Sequence, residues 1–149
     1  MLYLPYRTPN TPTVWTNNAV SVTLTAWLPG ISAHRRRLAT VGLIGNRMVM
    51  DTRAYGRITA AQVLLPDEPA REAVHRAYVE MAVPGRVTPA QREVFFAAGR
   101  TLMARGAEAI VLGGTDLFLA FDNEDSGFAT LDCARVHVEA ILARAFAEG

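Results

Sequence analysis

The amino-acid sequence predicts an α/β protein, a three-layer sandwich with a mainly parallel sheet of four strands. Two observations carry this prediction. Four short apolar runs, of the length typical of strands buried on both faces, alternate with segments that have helical periodicity. The chain has 149 residues, of which 50% are hydrophobic, and this length and composition suit one globular domain.

Each predicted strand ends at a residue that stops regular extended structure. Glycine or proline closes three of the apolar runs, and an aspartate that can cap a helix closes the fourth. The predicted strands and the residues that close them are 39–44 with Gly45, 61–65 with Pro66, 109–112 with Gly113, and 128–131 with Asp132.

Three helices are predicted between and after these strands. Asp67 is a candidate N-cap, and the apolar residues that follow it form one stripe over 70–81. A capping box at Thr88 starts the second helix, and Gly106 is the natural residue to end it. Asp132 caps a third helix at the carboxyl end. Strands that alternate with helices in this way favour parallel pairing.

The first part of the chain differs in composition from the rest. It is rich in Pro and Thr and holds both Trp residues. Apolar and polar residues alternate over 20–28, which predicts an exposed strand. The Arg run at 35–37 is interpreted as a solvated helix face or a linker. We therefore divide the chain into a short amino-terminal segment, 1–37, and an α/β domain, 38–149.

Composition narrows the classes of function. No apolar stretch reaches about 18 residues, so no membrane span is expected. A net charge of +1 argues against a nucleic-acid partner. The sequence contains no Lys, which excludes a Schiff base on a lysine of this chain. A single Cys excludes an internal disulfide, and no signal peptide is recognised, so a cytoplasmic location is expected.

Ligands of open parallel sheets bind beyond the carboxyl ends of the strands. This rule selects three segments, 45–47, 113–116 and 132–135. If each is a strand-to-helix turn, its backbone N–H groups and the helix dipole favour an anion. A carboxylate or phosphate ligand is therefore expected at these turns.

The turn at 113–116 contains the largest number of candidate functional groups. Gly113 and Gly114 let a ligand approach the backbone closely. Thr115 can donate its hydroxyl, and Asp116 can accept or relay a proton. The alternative is a tight turn in which Asp116 only starts a helix.

Cys133 is the second candidate. A thiol at a helix N-terminus is expected to have a lowered pKa, which favours the nucleophilic thiolate; the alternative is a small buried apolar residue. His137 lies one helical turn later, so the two could act as nucleophile and base. They could also bind a metal, but two ligands make a poor site and no metal is expected. His34 and His75 are interpreted as structural or solvated.

Several segments of the chain match one known pattern in order and spacing. These segments are 37–45, 63–68, 74–75, 85–89, 105–116, 131–133 and His137. Through them, residues 39–147 resemble the carboxyl-terminal half of the aspartate/glutamate racemase superfamily, and the match covers nearly three quarters of the chain.

The resemblance implies a fold and a mechanism. Two similar α/β halves face each other across a cleft, and each offers one cysteine. One thiolate removes the α-proton of an amino acid and the other thiol returns a proton to the opposite face, without pyridoxal cofactor or metal. Backbone N–H groups and Thr or Asn side chains hold the α-carboxylate. Carried over to this sequence, Asn46, Gly113, Gly114 and Thr115 are the expected substrate-binding residues.

The sequence departs from the family pattern at the reacting groups. Gly114 stands where the family has its Cys, and Asp116 takes the acidic position. The amino-terminal half is mostly absent, although residues 14–20 match its cysteine motif faintly, with Trp15 in place of the Cys. Segment 1–37 is then a remnant of that half or an oligomerisation arm. Asp116 and Cys133 remain the catalytic candidates, but a thiol at 133 is displaced by a turn.

Three functions follow as hypotheses. The chain is an amino-acid racemase or isomerase by descent whose own two-thiol chemistry is impaired. Alternatively, it is a non-catalytic module that binds a small carboxylate or amino acid, or a truncated remnant that acts in assembly. Because the missing half would leave an apolar face uncovered, a homodimer or higher oligomer is expected.

Overall fold

The computed structural model describes residues 38–54, 56, 58, 61–122, 124–135, 138 and 142. Several predicted features lie outside the described residues. They are the strand at 20–28, the Arg run at 35–37, the Trp15 match, His34, His137 and most of the last helix.

The described residues form one sheet of four parallel strands, as predicted. The strands are β1 (Thr40–Ile44), β2 (Gln62–Leu64), β3 (Ala109–Leu112) and β4 (Thr130–Asp132). They lie in the order β2-β1-β3-β4, and every pairing is parallel. All four predicted strands are present, with bounds that differ by at most two residues.

Helices connect the strands. Two were predicted, α2 (Glu68–Ala82) and α3 (Pro89–Ala104). Three short elements were not: α1 (Arg47–Asp51), a 3₁₀ turn (Thr115–Leu117) and α4 (Phe118–Phe121). Residues 133–135 begin a further helix directly after β4.

The helix ends show which sequence signals were reliable. The Thr88 hydroxyl accepts a hydrogen bond from the Gln91 backbone N–H, and the Gln91 side-chain oxygen accepts one from the Thr88 backbone N–H, which completes the capping box. Gly106 follows α3 with φ +102°, a conformation that favours glycine. Asp67 occupies the N-cap position of α2 but makes no side-chain cap bond; its carboxylate lies 3.4 Å from Arg105.

Apolar side chains pack on both faces of the sheet. Alternate residues of β1 and β3 divide between the faces, so Ile44 and Leu112 join a cluster with α2 and α3. Leu43 and Val111 join a second cluster on the other face. For β1 and β3 this division confirms the prediction of strands that are buried on both sides, whereas β2 has an exposed Gln62 and two residues of intermediate burial.

Gly42 explains how closely α3 approaches the sheet. A Cβ on Gly42 would lie 2.6 Å from Ile110 Cδ1 and 3.0 Å from Leu102 Cβ, so the absent side chain leaves room for the helix. Within the described part of the chain, no helix is both long and apolar enough to cross a membrane.

Candidate functional site

The three turns selected from the sequence lie at one edge of the sheet. Ile44 pairs with Leu112, and Leu112 pairs with Asp132. The last residues of β1, β3 and β4 are therefore in register, and the turns that follow them start side by side. Neighbouring strands lie about 4.8 Å apart, so the first and third turns are separated by about twice that distance.

The first two turns meet where the chain changes direction across the sheet. β1 continues to β2 on one side, and β3 continues to β4 on the other. Open sheets bind ligands at such a switch point. A Cβ on Gly45 would lie 3.1 Å from the Gly113 carbonyl oxygen, so the two backbones already approach closely. We call the space outside the carboxyl ends of β1 and β3, between turns 45–47 and 113–116, the crevice.

Asn46 is held in place at the first turn. Its side-chain Oδ1 accepts a hydrogen bond from the Val49 backbone at 3.0 Å, which caps α1. The carbonyl half of the amide is thus committed to the fold. The Nδ2 half is the donor that remains to face a ligand.

His75, which was predicted to be structural or solvated, also contacts the first turn. Its Nδ1 accepts a hydrogen bond from the Arg47 backbone N–H at 3.2 Å, so in the neutral ring the proton is on Nε2. His75 lies on α2, one turn before Tyr78, which contacts the second turn. The spacing of three residues between them was the available sign that α2 spans both turns.

Arg47 directs its charge away from the crevice. Its guanidinium contacts Asp51 at 2.9 Å, Glu68 at 3.0 Å and Glu72 at 3.3 Å. The hydrogen bond from Arg47 is the main cause that lowers the pKa of the Asp51 carboxyl. Arg71 contacts the same Asp51 at 3.1 Å. This cluster joins α1 to α2, and carboxylates already balance the charge of the Arg47 guanidinium.

Neighbouring side chains crowd both glycines of the second turn on the side where a Cβ would point. A Cβ on Gly113 would lie 2.6 Å from Val49 Cγ1 and 2.9 Å from Leu43 Cδ1. A Cβ on Gly114 would lie 2.5 Å from Tyr78 Cε2. Side chains of the protein itself fill both positions.

The Gly113 N–H is engaged as well. It donates to the Ile44 carbonyl at 2.8 Å and extends the parallel ladder by one bond. This N–H, a candidate substrate contact, is therefore already engaged in a hydrogen bond within the protein. Thr115, by contrast, is exposed at the edge, where its hydroxyl can reach a ligand.

Tyr78 and Asp116 form a hydrogen-bonded pair at the second turn. The Tyr78 hydroxyl donates to Asp116 Oδ2 at 2.9 Å, and the ring is buried. Burial and the adjacent carboxylate raise the pKa of Tyr78 to about 12. Contacts with the Asp116 backbone and the Thr115 side chain oppose this shift. At neutral pH the phenol is protonated and its proton is directed at Asp116.

At the third turn, the Asp132 carboxylate itself binds the backbone N–H groups. Asp132 Oδ1 accepts from the backbone N–H groups of Ala134 at 2.9 Å and Arg135 at 3.3 Å. These are the donors that were expected to hold a ligand anion at this turn. The cap predicted for Asp132 is present, and it occupies the anion position.

Cys133 has the opposite pKa shift from the one predicted. The residue is exposed, but the protein around the thiol keeps water from a thiolate, and the Asp132 charge repels one. Together they raise the pKa of Cys133 to about 11. The helix N-terminus does not lower it, because the Asp132 carboxylate already takes the N–H groups.

The helix dipole contributes less than expected at the first two turns. α1 has five residues and the 3₁₀ turn has three, so few peptide dipoles are aligned behind either turn. Among the described residues, no group of three or more His, Cys, Asp or Glu side chains is arranged to hold a metal ion.

Comparison with known proteins places this chain in a family. The family model described as Asp/Glu/Hydantoin racemase matches residues 29–141. The chain therefore belongs to the Asp/Glu/hydantoin racemase family, as the resemblance in the sequence indicated.

Two solved structures are similar to it. A protein provisionally assigned as an Asp/Glu racemase, from Yersinia pestis, is 27% identical with a TM-score of 0.65, over 73% of this chain and 49% of that one. An aspartate racemase homologue from Pyrococcus horikoshii is 20% identical with a TM-score of 0.66, over 87% of this chain and 54% of that one. The second likeness concerns the fold alone. The chain thus matches about half the length of these proteins.

The pKa of Cys133 leads to a prediction about thiol reactivity. Because this is the chain's one cysteine, alkylation reports it alone. We expect the rate to keep rising through pH 11, since the thiolate is the reacting form. In Asp132→Asn the amide oxygen keeps the cap but the charge is gone, so alkylation at a given pH should be faster. A rate that levels off below pH 9 in the wild type would contradict the raised pKa.

The Tyr78–Asp116 pair leads to a prediction about stability at high pH. Below pH 10 the phenol is protonated in both the folded and the unfolded state. Between pH 10 and about 12 the unfolded chain releases this proton while the folded chain keeps it, so the free energy of unfolding falls as pH rises. Urea unfolding should show a steeper loss in the wild type than in Tyr78→Phe. Parallel losses in the two proteins would rule out the shift.

Proposed function

We propose that this chain binds a small amino acid or related carboxylic acid in the crevice, and that its two-thiol racemase chemistry is lost. One observation carries the proposal. The turns after β1 and β3 meet at the switch point of a racemase-family sheet, yet residue 114, the family's Cys position, is a glycine whose side-chain space is filled by Tyr78. The fold supports binding, and the absence of a thiol at 114 argues against racemisation.

The binding groups are assigned to the two turns. The Asn46 amide is fixed by its cap bond, so its Nδ2 donor is positioned without further loss of side-chain entropy. The Thr115 hydroxyl supplies a second donor from the opposite turn. Gly113 and Gly114 contribute the shape of the turn. Arg47 is excluded as the carboxylate ligand because three carboxylates already surround it.

Racemisation requires a base that removes the α-proton and an acid on the other face of the carbon. Asp116 is the carboxylate nearest the crevice, and it accepts the Tyr78 proton. Cys133, with its pKa raised to about 11, is a protonated thiol at neutral pH and not a base. We infer that these two groups do not make up a working pair. Pyridoxal catalysis through a lysine of this chain is excluded, because the sequence contains none.

A second role, in assembly, is favoured by a separate observation. Three exposed apolar side chains lie on elements that adjoin the crevice, Met48 on α1, Val79 on α2 and Phe118 on α4. The chain also matches about half of each solved relative, in which the remaining length is available to face this half. We propose that a second copy of the chain covers this side, and that the protein acts in the cytoplasm.

Hydrogen exchange and calorimetry test the proposed function. L- and D-aspartate and glutamate incubated with the protein in deuterated water should keep their α-protons, while calorimetric titration should detect their binding. Rapid exchange would overturn the loss of catalysis. Exchange that disappears in Cys133→Ser would assign the chemistry to that thiol. Absence of heat with any of these acids would overturn the binding role.

Asn46→Asp separates ligand binding from folding. Aspartate is as good an N-cap as asparagine, so the cap on α1 and the thermal midpoint should be kept. The variant replaces the Nδ2 donor with a negative charge that repels a carboxylate, and affinity should fall at least tenfold, or about 1.4 kcal/mol. Asn46→Ala serves as the contrasting variant that loses both the cap and the donor. Unchanged affinity in Asn46→Asp would remove Asn46 from the site.

Sedimentation velocity tests the proposed assembly. We expect a dimer or higher oligomer at micromolar concentration, and dissociation when Val79 or Phe118 is changed to Glu, since a buried unpaired charge is strongly unfavourable. Ala97→Glu, on the exposed face of α3, makes the same charge change elsewhere and should leave assembly intact. A wild-type protein that sediments as a monomer would contradict the proposal.

A further inference from the structure

We propose that Tyr78 is the specificity-determining residue of the crevice at the second turn. Its ring takes the space that a side chain on residue 114 would fill, and its hydroxyl donates to Asp116 of the same turn. The steric part of this inference stands on the fold alone, and the part that concerns ligands rests on the proposed function.

Backbone conformation does not require a glycine at position 114. Gly114 has φ −155° and ψ 139°, an extended conformation that any residue adopts. The obstacle to a side chain is Tyr78 alone among the nearest atoms. An added Cβ would lie 2.5 Å from Cε2, 2.7 Å from the hydroxyl oxygen and 2.9 Å from Cζ of that residue. Residues 78 and 114 therefore cannot both carry their usual side chains in this arrangement.

The Tyr78 ring is not free to move aside. It is part of the buried cluster between α2 and the sheet, with Met81 and Leu117 among its members. Its hydroxyl is held by Asp116 at 2.9 Å. To admit a side chain at 114, the ring has to leave both the hydrogen bond and its packing. Overpacking of this kind destabilises proteins by about 1–3 kcal/mol.

The Tyr78 phenol of α2 stands where a side chain of residue 114 would be. The chemical group next to a bound ligand is therefore different as well. A thiol on residue 114 would present a group that ionises within reach of neutral pH. The Tyr78 phenol stays protonated there, since its pKa is raised to about 12, and its proton is directed at Asp116. The ligand therefore faces a neutral oxygen and a rigid ring, which limit the length of the acid that fits.

A thermodynamic cycle tests the steric part. Tyr78→Leu removes all three crowding atoms yet keeps an apolar side chain in the cluster, whereas Tyr78→Phe removes only the hydroxyl oxygen. Gly114→Ala should shift the unfolding constant by about 10- to 100-fold in the wild type, by less in the Phe variant, and by under about threefold in the Leu variant. Urea unfolding measures each constant, and circular dichroism verifies that every variant is folded.

Gly113→Ala is the matched control for this cycle. Its added Cβ meets Val49 and Leu43 rather than Tyr78, so its cost should be the same whichever residue occupies position 78. An equal cost of Gly114→Ala in the wild type and in Tyr78→Leu would overturn the steric part of the proposal. So would a Gly113→Ala cost that depends on position 78 as strongly as that of Gly114→Ala.

Calorimetric titration tests the effect on ligands. Aspartate and glutamate differ by one methylene, a difference worth about tenfold or more in a tight site. The wild type should prefer L-aspartate, and Tyr78→Leu should shift the preference toward L-glutamate by at least about fivefold. If both acids bind but the preference is unchanged, the specificity role fails and the proposed function stands. If neither acid binds any variant, the proposed function fails, and the ligand part falls with it.

Discussion

The parallel pairing of β1 with β3 is the constraint on which the site depends. Both strands are buried on both faces, and their register places Ile44 beside Leu112. A slip of one residue would move every side chain of the strand to the opposite face and disrupt the packing of both clusters, so the register is strongly fixed. Because the register is fixed, the turns that follow the two strands cannot separate. Their contact at Gly45 and Gly113 follows from the sheet and needs no ligand.

Several polar groups at this edge already have partners within the protein. Asn46 caps α1, Asp132 caps the helix after β4, and Asp116 accepts from Tyr78. Such bonds orient side chains precisely, which suits a binding site, but they also use acceptors and donors that catalysis would need. The negative groups Asp116 and Asp132 stand at the second and third turns. For the carboxylate ligand proposed above, these two charges favour a position on the Asn46 side of the crevice.

The sequence allowed most of the fold to be predicted and less of the site. Strand positions, the capping box at Thr88 and the end of α3 at Gly106 depend on local residue chemistry, which a sequence displays directly. The site depends on contacts between distant segments, such as Tyr78 with Asp116, 38 positions apart. Tyr78 was visible only as one apolar position in a helical stripe. The pKa of Cys133 was predicted in the wrong direction because the sequence shows neither the desolvation of the thiol in the fold nor the charge of Asp132 beside it.

Tyr78 compensates for the absence of a side chain at position 114. Loss of a side chain from a buried turn would ordinarily leave a cavity, which destabilises a protein in proportion to its volume. Here the ring of Tyr78 occupies that volume, and its hydroxyl satisfies Asp116. The turn is thus stable without a thiol. The same packing opposes a thiol at this position, because Gly114→Cys alone would place the new Cβ against the Tyr78 ring. A change at position 114 has to be accompanied by a change at position 78, so the two positions are coupled through packing rather than through the backbone conformation of the glycine.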